Sequence, residues 1–171
     1  TGKVFTREEL AQIAALCQRH NVIAVTDEVY ERLTFDAARP HVRLATLPGM
    51  AERTLTLSSL GKTFSLTGWK IGWAIGSAVL SRAVRAAHQF LTFATATPFQ
   101  HGAAAALGHA GPREAYIEEL TSLYRWGRGY LSANLAELGF EVIEPEGTYF
   151  LMVDWTRAPA AVRAGWADDV A

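Results

Sequence analysis

The chain has 171 residues, of which 50% are hydrophobic and 19% are charged, and its formal net charge is -1. That length can bury one hydrophobic core of ordinary size, with part of a second domain. The charge balance offers no electrostatic reason to expect a nucleic acid or an anionic membrane surface as partner. The single cysteine excludes an intrachain disulfide and fits a reducing, cytoplasmic compartment. No apolar run reaches the roughly 18 residues of a membrane-spanning helix.

The first half of the chain alternates a helix with short β-rich runs. Thr6 and Glu9 form a T-x-x-E capping box, which predicts a helix that ends near Asn21. The VIAV run at 22–25 follows directly and predicts a buried parallel strand. Two further runs predict strands, TLTLSS at 54–59 and WKIGWAIG at 69–76.

The second half predicts three helices and then two strands. Helical periodicity covers about 77–93, 98–110 and 112–138, and the runs FEVIEP and TYFLMVDW flank a turn at Glu146–Gly147. Helices between short apolar strands predict an α/β fold with helices on a mostly parallel sheet. The change near Gly139 predicts a domain boundary, which divides the chain into 1–138 and 139–171.

A group of polar side chains stands at the ends of the first two predicted strands. Asp27 ends one strand, at the edge where ligands bind in open α/β sheets, and Tyr30 follows it. Lys62 lies beyond the next strand among small residues, and a poorly hydrated lysine is a candidate imine-forming nucleophile. Ser59 and Lys70 offer a hydroxyl and a positive charge to a phosphate. Taken singly, these residues also fit ordinary roles: a helix cap, a solvated lysine, and a lysine stem packed beside tryptophans.

Together these residues carry a family resemblance. Asp27–x–x–Tyr30 after a strand, followed by S-x-G-K-T-F-S-x-T-G-W-K-x-G-W, resembles the fold-type-I, class I/II aminotransferases, which depend on pyridoxal 5'-phosphate. The similarity is to the branch of kynurenine aminotransferases, glutamine transaminase K and cysteine-S-conjugate β-lyases, because Lys70 stands where aspartate aminotransferases usually carry arginine. The resemblance covers nearly the whole chain. It implies the C-terminal half of the large cofactor-binding domain and the start of the small α+β domain.

The resemblance also implies a role for each polar residue. Lys62 forms the imine with the cofactor, Asp27 pairs with the pyridine nitrogen, and Tyr30 donates to the phenolic oxygen. Ser59 and Lys70 hold the phosphate. A carboxylate beside the ring nitrogen favours its protonated, electron-withdrawing form, and a freed lysine can move the substrate's α-proton. The implied activity is transfer of an amino group from an L-amino acid to a 2-oxo acid, in a homodimer. No metal is expected, since the five histidines lack metal-ligand spacing.

Several features depart from the family pattern. TGK at the start resembles the end of an N-P-T-G segment whose asparagine would lie upstream, and the arginine that binds the substrate carboxylate would lie beyond Ala171. We therefore expect a piece of a longer chain that is inactive when isolated. Phe93 matches an aromatic residue that reaches the neighbouring subunit's site. Ala94 stands where this branch has histidine, which weakens the expectation of a kynurenine preference.

Three alternatives to transamination stay open. β-Elimination from cysteine conjugates uses the same cofactor and the same carbanion, and no residue in the chain separates the two reactions. A scaffold that binds the cofactor without turnover is a second alternative, against which the intact Asp27, Tyr30 and Lys62 argue. The third is that this polypeptide, lacking both ends, is catalytically incompetent.

The remaining notable residues have structural interpretations. Glu28 should point away from Asp27, because successive side chains of a strand alternate between its faces. Trp69 and Trp73 should pack beneath the cofactor loop rather than touch the substrate. Tyr149 in G-T-Y-F can approach the site, but core packing is the favoured interpretation.

Overall fold

The computed structural model describes residues 1–164, so positions 165–171 of the predicted second domain lie outside the described residues. The elements in the described part are α1 (Arg7–Arg19), β1 (Ala24–Asp27), β2 (Thr54–Ser59), α2 (Leu60–Thr63), β3 (Gly72–Ile75), α3 (Ala78–Leu91), α4 (Thr97–Gly108), α5 (Ala110–Glu137), β4 (Val142–Ile143), β5 (Met152–Val153) and α6 (Ala160–Arg163). Single 3-10 turns occupy Leu44–Thr46, Thr67–Trp69 and Trp155–Arg157. No described helix is both long and apolar enough to cross a membrane.

Helix α1 begins at the predicted capping box. The Thr6 hydroxyl accepts from the Glu9 amide at 3.2 Å, and the Glu9 carboxylate accepts from the Thr6 amide at 2.8 Å. These two bonds satisfy backbone donors that the first helical turn leaves free. The buried face of the helix then joins the 3-10 turn that precedes β2 in one apolar core, formed by Leu10, Ala14, Cys17, Leu44, Leu47 and Met50.

The main sheet has three strands in the order β1-β2-β3. Strands β1 and β2 are parallel, whereas β2 and β3 are antiparallel. The predicted α/β class is confirmed, and the described sheet is mixed rather than mostly parallel. The physical reason lies in the connections: β1 reaches β2 through a long segment that returns the chain to the same end. Residues 60–71, which include α2 and the 3-10 turn at Thr67–Trp69, instead lead the chain into β3 at the end where β2 stops, so these two strands run antiparallel.

Strand β1 differs from the prediction in position and burial. It starts at Ala24, two residues later than the VIAV run, and Val25 is 63% exposed. Ala24 packs on the core that includes α1, whereas Val25 points to the opposite face. The prediction of a buried strand is therefore wrong for this edge strand, because α1 covers only one of its faces.

The second half follows the prediction closely in its helices and less closely in its strands. Helices α3, α4 and α5 lie within two residues of the predicted bounds, whereas β4 and β5 are two-residue strands paired antiparallel. The start of the predicted third strand is instead a 3-10 turn at Thr67–Trp69. The division of the chain at residue 139 stays a prediction.

Candidate active site

The sheet register brings the predicted site residues to one edge. Asp27, the last residue of β1, pairs with Leu57 of β2, and Ser59 at the end of β2 pairs with Gly72 at the start of β3. Because β1 and β2 are parallel and β3 runs back, two carboxyl ends and one amino end meet at the same edge. Lys70 stands two residues before Gly72. Asp27, Ser59 and Lys70 therefore approach this edge from three strands.

Asp27 and Ser59 also share a face of the sheet. Directly paired residues point to the same side and side chains alternate along a strand, so Asp27, Leu57 and Ser59 lie on one face. That face is the open one, since Asp27 is exposed while Thr56 and Ser58 on the other face are buried. A ligand on the open face can therefore reach both the carboxylate and the hydroxyl.

A one-turn helix presents Lys62 next to this edge. The Ser59 side chain accepts a hydrogen bond from the Gly61 amide at 3.1 Å, which leaves the hydroxyl proton free to donate. Leu60 is fully buried and its amide donates to the Ile71 carbonyl at 3.1 Å, which fixes the turn to the start of β3. Lys62 itself is half-buried. The bond to Ile71 therefore fixes the backbone of the turn that carries Lys62.

The loop from Lys62 to Lys70 rests on packed aromatic rings. Trp69 stacks on Phe99 of α4 with centroids 4.8 Å apart, and Trp69 and Trp73 both pack against the core below the loop. The tryptophans therefore lie where the sequence predicted them. Lys70 follows in the left-handed conformation, with φ 55°, and is exposed. Within residues 1–164, no salt bridge involves Asp27, Lys62 or Lys70.

Tyr30 reaches the neighbourhood of Lys62 through a second tyrosine. The Asp27 carboxylate accepts from the Val29 amide at 3.2 Å, which closes the turn leading to Tyr30. The Tyr30 ring meets Tyr149 edge-on with centroids 5.5 Å apart, and Lys62 Nζ lies 5.4 Å from the Tyr149 centroid. The prediction that Tyr149 packs in the core is wrong: it is 43% exposed and stands between the two site residues.

The pKa values of the two tyrosines shift in opposite directions. Burial, followed by hydrogen bonding with Tyr149, raises the pKa of Tyr30 well above its ordinary value. Hydrogen bonding with Lys62, followed by hydrogen bonding with Tyr30, lowers the pKa of Tyr149. Tyr30 is therefore held as a protonated donor, whereas the nearby ammonium stabilises the phenolate of Tyr149.

The buried carboxylate of Glu28, together with His41, stabilises the turn after β1. Glu28 is 6% exposed, and its carboxylate contacts His41 Nε2 at 2.8 Å and the Thr26 hydroxyl at 2.9 Å. Burial alone would raise the pKa of Glu28, but hydrogen bonds from His41 and Thr26 and the charge of Arg43 lower it overall. Glu28 thus points away from the exposed Asp27, as strand alternation predicts, and fixes the backbone beside it.

Two clefts border these elements, and only one contains site residues. A cleft of about 600 Å³ is lined by Asp27, Tyr30 and Phe150 among others. A larger cleft of about 950 Å³ lies between α5 and the segment after β1, and contains none of Asp27, Tyr30 or Lys62. Part of its charged lining is paired, Arg32 with Glu114 and Arg43 with Glu31. The smaller cleft borders α1 and, like the larger one, is not lined by Ser59, Lys62 or Lys70, so the open face at the sheet edge is the better candidate for a ligand site.

The sequence matches the family described as "Aminotransferase class I and II" over residues 1–168. The chain belongs to this family. Members of the class I and II aminotransferase family use pyridoxal phosphate and act on amino acid and oxo acid substrates. Among residues 1–164 there is no group of three side chains that could hold a metal ion.

Relatives with known structures and names share this core. A kynurenine–oxoglutarate transaminase of Dictyostelium discoideum is 44% identical over 155 residues, 90% of this chain and 35% of the relative. The structure of N-succinyldiaminopimelate aminotransferase from Mycobacterium tuberculosis superposes with a TM-score of 0.86 at 46% identity, over 92% of this chain and 40% of that one. Aspartate aminotransferase from Thermus thermophilus with maleate gives 0.87 at 31% identity, over 96% and 42%. The chain thus spans less than half the length of these relatives, and the predicted fold type is confirmed.

The residues at the sheet edge fit pyridoxal phosphate chemically. Asp27 offers an exposed carboxylate without an ion pair in the described part, as a pyridinium nitrogen requires. Ser59 has a free hydroxyl proton and Lys70 an exposed ammonium, which together suit a phosphate.

Proposed function

We propose that the protein is a pyridoxal-phosphate-dependent aminotransferase that moves an amino group from an L-amino acid to a 2-oxo acid, with Lys62 as the nucleophile. One observation carries this proposal: in a chain of this family, Lys62 stands beside the Tyr30–Tyr149 pair, and the parallel register of β1 and β2 puts Asp27 at the same sheet edge. The two strand ends explain why residues so distant in sequence can act on one ligand.

The chain's own residues divide the work. Ser59 and Lys70 bind the phosphate by one hydroxyl donor and one point charge. The Asp27 carboxylate stabilises a proton on the ring nitrogen. When bound and so protonated, the cofactor ring would accept the electrons left at the substrate's α-carbon. The Tyr30 hydroxyl donates to the phenolic oxygen; at neutral pH it is protonated even at the ordinary tyrosine pKa of about 10, and burial raises that pKa further. Lys62 takes the α-proton as a general base and returns it as a general acid.

The quaternary structure, the domains and the compartment belong to the same proposal. We infer a homodimer, with Phe93 near the neighbouring subunit's site; Phe93 is 83% exposed at the end of α3, which supports contact with another chain. We assign 1–138 to the large cofactor-binding domain and 139–171 to the start of the small domain. The single cysteine supports a reducing, cytoplasmic location.

The test is an absorbance spectrum of the intact protein with pyridoxal phosphate. These 171 residues contain three lysines, and each of the three can be replaced in turn. We expect the visible band of the lysine-bound cofactor in the parent and in Lys3→Ala, a matched control whose lysine pairs with Glu9 on the surface. Lys70→Ala should keep the band but need more cofactor, whereas Lys62→Ala should lose it.

Substrates complete the test. An amino acid should shift the band and a 2-oxo acid should restore it, as transfer of an amino group requires. A parent protein without the band, or a band that survives in Lys62→Ala, would overturn the cofactor assignment. A band that no amino acid shifts would favour a binding scaffold. Release of ammonia and a 2-oxo acid from a cysteine conjugate, without restoration by an added 2-oxo acid, would favour β-elimination.

A further inference from the structure

Tyr149 makes the closest described aromatic contact with the Lys62 amine. Lys62 Nζ lies 5.4 Å from the centroid of the Tyr149 ring, inside the roughly 6 Å reach of a cation–π interaction. The other neighbours of this ring are aromatic, with centroids at 4.7 Å for Phe150, 5.5 Å for Tyr30 and 5.8 Å for Tyr124. The Tyr149 ring therefore packs against three aromatic residues and also contacts the Lys62 amine.

The backbone holds Tyr149 in this place. Thr148 is in the left-handed conformation with φ 68°, and its amide donates to the Leu33 carbonyl at 2.8 Å. The Phe35 amide donates to the Glu146 carbonyl at 2.9 Å, and the Glu146 amide donates to the Gly2 carbonyl at 2.8 Å. These bonds attach the segment before Tyr149 to the segment after Tyr30. The positions of Tyr149 and Tyr30 are therefore coupled through the backbone as well as through their rings.

We propose that Tyr149 is a positioning residue for Lys62: its ring holds the Lys62 amine on the Tyr30 side of the site whenever that amine is not bonded to the cofactor. The inference rests on the proposed function and adds a residue to it. A lysine side chain has about 2 kcal/mol of rotamer entropy, so a free amine would otherwise sample many positions. A ring that limits those positions favours the orientation from which the amine attacks or returns a proton.

A direct test uses the small number of lysines. Reductive methylation with ¹³C-formaldehyde labels primary amines, Lys3, Lys62 and Lys70 among them, and keeps their charge; each dimethylamine gives its own NMR signal, and the Lys62 signal is the one missing in Lys62→Ala. A ring over the amine shifts the Lys62 signal away from those of the exposed lysines. We expect Tyr149→Leu to return the signal to the ordinary position and Tyr149→Phe to keep most of its shift, because phenylalanine retains the ring and loses only the hydroxyl that bonds Lys62.

A second readout measures the consequence for reactivity. The rate constant for covalent attachment of pyridoxal phosphate is followed by absorbance over a range of pH, and its plateau at high pH removes the effect of lysine protonation. We expect this plateau to fall at least about threefold in Tyr149→Leu, because orientation of a reacting group multiplies its rate. Tyr149→Phe should restore it. Tyr130→Leu is the matched control, since that tyrosine is exposed on α5 and stacks on Trp126.

The outcomes separate the inference from the proposed function. Loading with pyridoxal phosphate before methylation should remove only the Lys62 signal; if that signal survives, the proposed function fails and the inference with it. If loading protects Lys62 but Tyr149→Leu changes neither the NMR signal nor the plateau, the inference alone is overturned. A shifted signal with an unchanged plateau also overturns it, because the contact would then have no positioning effect.

Discussion

Replacing Gly147 by alanine tests how closely the segment that carries Tyr149 packs against the backbone of Leu33. A Cβ at this position would lie 2.6 Å from the Leu33 carbonyl oxygen, against about 3.4 Å for ordinary contact. It would also lie 3.3 Å from Val4 and 3.4 Å from Thr34. The Leu33 oxygen belongs to the backbone and already accepts from the Thr148 amide. It cannot rotate away, so the two segments must separate by roughly the 0.8 Å that is missing.

That separation has a calculable cost. It lengthens the bond from the Thr148 amide to Leu33, now 2.8 Å, and the neighbouring bond from Phe35 to Glu146, now 2.9 Å. Each such hydrogen bond contributes about 0.5–1.5 kcal/mol net, and overpacking by one methyl group costs about 1–3 kcal/mol. We therefore expect Gly147→Ala to lower the free energy of unfolding by about 1–3 kcal/mol. Tyr149 should move with its segment and lose contact with Lys62.

Urea denaturation of the parent and the variant measures the first effect. The matched control is Gly129→Ala in α5, where an added Cβ meets nothing within 4 Å. A glycine in a helix interior costs about 0.5–1 kcal/mol relative to alanine, so this control should be stabilised by about that amount. Equal stability of Gly147→Ala and the parent would refute the packing argument. A destabilised variant whose Lys62 signal is unchanged would refute the link to Tyr149.

Two further predictions concern the supports of the site. Glu28→Gln should lower the free energy of unfolding at neutral pH by about 1–3 kcal/mol, because the half-buried His41 and the Thr26 hydroxyl lose a charged hydrogen-bond partner. The pKa of Glu28 is lower in the folded state, so its contribution to stability is fully present above the ordinary pKa of 4.5 and is lost as pH falls through the folded value. The free energy of unfolding should therefore depend less on pH in the acid range in Glu28→Gln than in the parent. Equal slopes of stability against pH in the two proteins would contradict this. Leu60→Ala should lower the free energy of unfolding by about 2–5 kcal/mol, since Leu60 is fully buried beneath the Lys62 turn. Thermal and urea unfolding measure this change. A loss under about 1 kcal/mol would show that other contacts hold the turn.

Local chemistry in the sequence was enough for several elements. The capping box at Thr6 and Glu9 predicts the start of α1 because both bonds form within one turn. TLTLSS predicts β2 at its observed bounds, Thr54–Ser59, since β-branched residues favour a strand wherever it pairs. The family resemblance is equally local: Ser59, Lys62 and Lys70 lie in one short stretch, so their pattern can be recognised from the sequence alone.

Tertiary structure decided everything that depends on distant segments. The burial of a strand face depends on what packs against it, and the hydroxyl face of β2 is buried while Val25 on the open face of β1 is exposed. The direction of β3 depends on its pairing with β2 after a segment that contains α2 and a 3-10 turn. The place of Tyr149 beside Lys62 depends on hydrogen bonds that join its segment to Leu33 and Gly2. Residue types and periodicity describe a segment by itself, whereas these features are properties of pairs of segments, and no local pattern encodes which pairs will meet.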